Sequence, residues 1–339
     1  MKNSAITMAI VAGSAVLLAA CNNGGGGGND PVPLETKSDG LRELGTSIGG
    51  AGFLVEHLDF PSGSADKRAK AVRANAKALP DCNTVTGSAT YNGGAKDRDF
   101  KLLDPPVSGL RVDFDGQLRV NYEQNDCYGE DDSISEYFRA DGNLEEGTGG
   151  SSEAAYYYYS AGSGNTPAYD LNESREDGEL VFRQYLEYLG TIERLETPTR
   201  IVQAFRLSQK REFFERDERD TKLSFDLGDS NAPLRLTTTS DSLSVEGSYR
   251  YSTGFSGCKG GEVEVSTPSA GGIAFTDSRP SGGELRLRSG GSTASFTFSN
   301  DGGATLVING GAGIVVTPEE VEAALVAESS PCVEDNNPL

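Results

Sequence analysis

Tryptophan is absent from this chain of 339 residues, histidine occurs once and methionine twice. A lone histidine, His57, excludes multi-histidine metal centres. Positive charge is also scarce: 30 lysines and arginines face 51 aspartates and glutamates, for a net charge of -21. Such a balance opposes nucleic acid and anionic lipid heads, and no nucleic-acid partner is expected. There is no Cys-x-x-Cys pair, so the four cysteines beyond the N-terminus, Cys82, Cys127, Cys258 and Cys332, do not read as zinc ligands. Nor is there a long hydrophobic run. The best, Ala5 to Ala20, is broken by Thr7, Gly13 and Ser14 and falls short of the ~20 residues that span a bilayer.

Lys2 followed by that short apolar run reads as a signal peptide over 1–20. Its end, Leu18-Ala19-Ala20-Cys21, resembles the lipobox of bacterial lipoproteins, where small residues let the signal peptidase approach and the thiol accepts the lipid. The resemblance implies that Cys21 becomes the first mature residue and carries diacylglycerol and further acylation of the palmitate kind. Two or three chains make a lasting membrane anchor, whereas one binds marginally. Cleavage would remove only Lys2 among the charges and leave the mature protein acidic. In that family an aspartate after the cysteine favours inner-membrane retention; Asn22 and Asn23 stand here, which implies the outer membrane, on its periplasmic face or the cell surface. Gly24 to Gly28 cannot fold alone, so 21–40 reads as a flexible tether stiffened by Pro31 and Pro33. Unstructured, it would average ~25 Å and reach at most ~60 Å.

The expected fold class is mainly β: an antiparallel meander, open-barrel or sandwich-like, with one N-terminal helix and one short C-terminal helix. An N-terminal helical region spans 41–81. Within it Ala65 to Leu79 has helix formers throughout, an apolar line at Ala69, Val72, Ala76 and Leu79, and Pro80 as its stop. Its basic strip of Lys67, Arg68, Lys70, Arg73 and Lys77 fits a solvated face better than a lipid contact. A first β-rich module follows over 82–228 and a second over 229–339, which together make one domain if their sheets join. Leu110 to Phe114 and Leu118 to Tyr122 alternate about a turn expected at Asp115-Gly116. Residues 180–195 have helical periodicity, but Gly190 and the neighbouring strands favour sheet. Thr317, Pro318 and Glu320 form a capping box that starts the C-terminal helix, with Val321 and Leu325 facing the sheet.

Beyond the inner membrane an even set of cysteines pairs, and the sequential pairing, Cys82 with Cys127 and Cys258 with Cys332, brackets each set of strands. Each bridge would stabilise the fold by roughly 4 kcal/mol on the loop-entropy model. This layout, with "GGELRLRSGGSTASFTF" near the C-terminus, resembles proteobacterial β-rich envelope lipoproteins over most of the mature chain. That resemblance implies no activity.

Gly45-Thr46-Ser47-Ile48-Gly49 matches the G-x-S-x-G nucleophile elbow, with His57 and Asp59 nearby, but no buried strand precedes it and the histidine comes too early. A hydrolase using Ser47 is the third reading. Calcium ligands could come from Asp126, Glu130, Asp131 and Asp132, or from Asp113 and Asp115, although the spacing fits no calcium loop. Tyr156, Tyr157, Tyr158 and Tyr159 offer a stacking surface, yet on a strand they alternate between faces. The expectation is a non-enzymatic module without cofactor beyond the lipid on Cys21. It would meet the membrane through that anchor and bind an envelope protein or glycan. A carrier of lipid or another lipophilic ligand, enclosed by a curved sheet, is the alternative.

Overall fold

The computed structural model describes residues 31–50, 84–91, 94–128, 134–176, 178–216, 221–229, 232–253 and 260–326. Among them, eighteen strands form one antiparallel sheet. β1 (Thr84–Tyr91) and β2 (Gly94–Phe100) lie end to end along β3 (Val107–Tyr128), whose other side pairs with β4 (Ile134–Gly150). β5 (Ala155–Ala161) and β6 (Ala168–Glu176) together fill the lane between β4 and β7 (Glu179–Glu196), and β8 (Arg200–Glu215) follows. β9 (Thr221–Leu227) and β10 (Leu234–Thr239) share the next lane, between β8 and β11 (Ser242–Thr253). β12 (Gly261–Ser266) and β13 (Ile273–Thr276) divide the far side of β11, with β14 (Arg279–Gly282) folded back on β13. β15 (Glu284–Ser289), β16 (Ser292–Phe298), β17 (Ala304–Ile308) and β18 (Ile314–Val316) complete the meander.

Long unbroken strands thus alternate with lanes split in two, and glycine stands where a split must be passed. Gly190 on β7, at φ 136°, faces the gap between β5 and β6, and a side chain there would run into the carbonyl of Arg206. Gly247 on β11, at φ 129°, sits beside the gap between β9 and β10, where a Cβ would stand 2.6 Å from the Pro233 oxygen. Only glycine takes that backbone geometry without strain.

One face of the sheet is apolar from β5 onward, where Tyr159 and, on β7, Ile192 already join it. Phe205 and Leu207 on β8, Val245, Tyr249 and Tyr251 on β11, Leu285 and Leu287 on β15, Phe296 on β16 and Leu306 on β17 share it. Over this face lie α1 (Lys37–Leu44), continued by a π-helical turn at Gly45–Gly50, and α2 (Pro318–Val326). α1 touches both β11 and β17, which would lie ~19 Å apart in a flat sheet. The helix, whose eight residues are ~12 Å long, thus bridges strands four lanes apart.

Several expectations change here. The tether does not continue to Gly40: Val32 and Leu34 are fully buried, and α1 begins at Lys37. β3 runs through Asp115-Gly116 as a bulge, without a turn, because β1 and β4 hold Leu118 onward from both sides. The boundary at 228/229 falls inside the β9–β10 lane, whose two halves both pair with β8 and β11, so the sheet is continuous across it. Residues 180–195 are strand, and α2 begins with the expected capping box: Glu320 N donates to Thr317 Oγ1 at 3.3 Å and Thr317 N to Glu320 Oε2 at 2.8 Å. The helix expected at 65–79 lies outside the described residues.

Candidate functional site

α1 starts with reciprocal capping. Asp39 N donates to Thr36 Oγ1 at 3.2 Å, and Thr36 N donates to Asp39 Oδ2 at 2.9 Å. Gly40 brings the helix onto Leu306 and Phe296, and Leu44 is buried beneath it. About two turns from the cap, the helix places the Glu43 carboxylate against the apolar face.

Glu43 has no exposed surface. Its Oε1 accepts from Tyr251 Oη at 2.7 Å and from Arg42 Nε at 3.1 Å, and its Oε2 accepts from Tyr249 Oη at 3.0 Å. Burying a carboxylate costs several kcal/mol unless donors replace water, and three donors do so here. Burial, then the Glu43 charge, pushes both phenols well above their ordinary range. Burial works most strongly against the Arg42 charge, but Glu43, Tyr251 and Asp39 together outweigh it and hold the guanidinium above its usual value. At neutral pH the phenols are thus protonated donors and the arginine is charged. The arrangement holds α1 onto β11. Lys37 Nζ adds a contact to Glu320 Oε1 of α2 at 2.6 Å.

The opposite face of the sheet carries a smaller core. Phe100 packs on Tyr156 and Tyr158 with ring centres 5.3 and 6.0 Å away, and the segment after it folds over β7, β8 and β10. Glu193 on β7 secures that segment by accepting from the backbone N–H of Lys101, Leu102 and Leu103 at 3.0, 2.7 and 3.2 Å. Arg235 Nε donates to the Leu102 oxygen at 2.9 Å. Burial pushes the Glu193 carboxyl up, against the pull of those N–H groups and Arg206. Val202 to Phe205 are consequently buried on both faces.

Ser47 lies in the helical continuation of α1, buried, with Oγ donating to the Leu44 oxygen at 3.2 Å, and no strand leads into it. His57 and Asp59 lie outside the described residues. The four tyrosines divide as alternation requires. Tyr156 and Tyr158 join Phe100, Tyr159 enters the inner core, and Tyr157 is exposed under the Arg194 guanidinium, 5.2 Å from its ring centre. The run therefore makes no single stacking surface. Of the calcium candidates, Asp113 is exposed on β3, Asp115 occupies the bulge and Asp126 lies further along β3, while Glu130, Asp131 and Asp132 fall outside the described residues. Among the described residues no three metal-ligating side chains cluster. Cys127 stands on β3 opposite Glu136; Cys21, Cys82, Cys258 and Cys332 lie outside the described residues.

A groove of about 700 Å³ crosses the polar face over β11, β12, β15 and β16. Its two arginines are paired, Arg288 with Glu264 at 3.6 Å and Arg286 with the flanking Glu284 at 2.7 Å, and Asp229, Glu246 and Glu262 also line it. No helix among the described residues is long and apolar enough to cross a membrane. No protein family, curated protein or solved structure matches the chain.

Sequence reasoning missed Glu43 and Glu193. Among 51 acidic residues neither has a distinguishing neighbour pattern. The start of α1 did leave a signal, since Thr36-x-x-Asp39 is a capping pair before Leu41 and Leu44.

Proposed function

We propose that this chain is an outer-membrane lipoprotein, held through acylated Cys21, whose sheet acts as a non-enzymatic binding or envelope-structure module. The observation that carries the reading is the docking of the segment just beyond the lipobox. Val32 and Leu34 are fully buried, and Glu43 is bonded to Tyr249 and Tyr251 on β11. A lipid on Cys21 would thereby be coupled to the whole sheet. The partner would be an envelope protein or glycan meeting the solvent-facing side. The carrier reading draws less support, because Val32, Leu34, Leu44 and Val321 of the chain itself occupy the inner apolar face.

The test is metabolic labelling with radioactive palmitate and membrane fractionation of the full chain and of Cys21→Ala. The native chain is expected to take up label and sediment with outer membrane, and Cys21→Ala to do neither. Label on the variant, or none on the native chain, overturns the reading. Affinity capture with the anchored protein, combined with protease treatment of whole cells, then identifies the partner and the face.

A further inference from the structure

The Phe100 segment covers the outer face of β7 at Glu193 and Leu195. Tyr185 and Glu187 have the same place in the alternation of β7 and so lie on the same face, further back along the strand. The register sets Leu171 of β6 opposite Tyr185 and Tyr169 opposite Glu187, then Arg139 of β4 opposite Leu171 and Tyr137 opposite Glu173. Tyr169 and Tyr185 meet on the diagonal with ring centres 5.8 Å apart, and the Arg139 guanidinium lies 5.6 Å from the centre of the Tyr169 ring. Tyr137, Tyr169, Leu171 and Tyr185 are half-buried by these neighbours, while Arg139 and Lys210 are exposed.

The charges around the rings are bound to one another. Glu173 meets Arg183 at 3.4 Å, Glu187 meets Lys210 at 3.1 Å and Glu212 meets Lys222 at 3.3 Å, all across neighbouring strands. Glu187 also accepts from Tyr185 Oη at 3.0 Å. A polyelectrolyte gains little from such a surface, because fields of alternating sign cancel at short range. A protein partner finds no protruding apolar anchor, since the large apolar side chains exposed among the described residues, Tyr157 and Val315, lie elsewhere. The surface instead offers stiff phenol rings and a leucine, framed by donors and acceptors whose positions the ion pairs fix in advance. A pyranose has the complementary make-up: an apolar C–H face and a rim of hydroxyls that both donate and accept.

We propose that this side of β4, β6 and β7 is a glycan-binding surface for an uncharged oligosaccharide, with Tyr169 and Tyr185 stacking on sugar rings and Arg139, Glu173 and Glu187 bonding the hydroxyls. It rests on the binding-module reading above and names the ligand class. Isothermal titration of the full chain with maltotetraose, cellotetraose, mannotetraose and the tetramer of N-acetylglucosamine tests it. At least one is expected to bind, and Tyr185→Ala to weaken that binding about tenfold, the loss of one stacking contact. Tyr157→Ala, on the other face of the sheet, is expected to leave it unchanged. Should Tyr185→Ala lose the native circular dichroism spectrum, Arg139→Ala takes its place, with severalfold weakening expected. No binding of any of the sugars at millimolar concentration, or binding that these variants leave intact, overturns the glycan surface. A protein captured from the envelope whose binding is lost in Tyr185→Ala also overturns the glycan as ligand, but upholds the binding module. Absence of both sugar binding and any captured partner overturns the two readings together.

Discussion

Glu43 links a segment near the start of the chain to strands more than two hundred residues later, at separations of 206 and 208. Glu43→Gln keeps one accepting oxygen but turns an amide N–H₂ toward existing donors, and should lower stability by about 1–3 kcal/mol. Glu43→Ala strands the buried Tyr249 and Tyr251 hydroxyls, while Arg42 keeps Asp39 at 3.2 Å, and should cost about 1–3 kcal/mol for each hydroxyl left without an acceptor. Urea denaturation followed by tyrosine fluorescence distinguishes these from no effect. The two phenols make a second prediction. Their native titration lies above the ordinary value of 10.0, so the folded state binds more protons there than the unfolded state. Stability is intact below about pH 10 and falls as the pH rises beyond it. In absorbance at 295 nm, Tyr249→Phe/Tyr251→Phe should shrink the part of the tyrosinate signal that appears only at strongly alkaline pH, leaving the share of Tyr158 and Tyr185, which burial also raises.

Individual elements differ in how clearly the sequence announces them, and the differences have physical causes. β15, β16 and β17 were legible because one face is buried and the other wet, leaving strict alternation. α2 was legible from its cap alone. β7 gave a mixed signal because its residues are half-buried nearly throughout, with cover on both faces, and Gly190 was the better guide. The Asp115-Gly116 dipeptide reads as a hairpin turn only if the chain ahead is free to reverse; pairing on both sides of β3 forbids it. Val32 and Leu34 were hidden for a related reason, because prolines and charges around them look like linker and only the core of the distant sheet buries them. Glu43 and Glu193 had no local pattern to betray them. Gly190→Ala should cost more than about 2 kcal/mol, since it forces a side chain into a disfavoured φ and against Arg206. A denaturation midpoint equal to that of the native chain would refute the role assigned to this glycine.

For the molecule as a whole, the inner core runs from Tyr159 and Ile192 to Val316 and Val321 without a gap, and it includes the N-terminal segment. The expected behaviour is one cooperative unfolding transition despite the length of the sheet. Leu34→Ala, at a fully buried site, should lower that single transition by about 2–5 kcal/mol and leave it single. Calorimetry showing two transitions, only one of them shifted, would instead divide the sheet into independent units.

The bond between Glu43 and β11 also sets an order of events. A chain delivered from its N-terminus presents α1 long before Tyr249 and Tyr251 arrive, and the face that receives α1 needs Phe296 and Leu306 as well. Closing so large a loop is entropically slow, so seating of the N-terminal segment belongs among the last steps of folding. Until then the N-terminal segment and the face that receives it are a loose key and an unfilled socket, the form of the protein on which a chaperone or a protease would act.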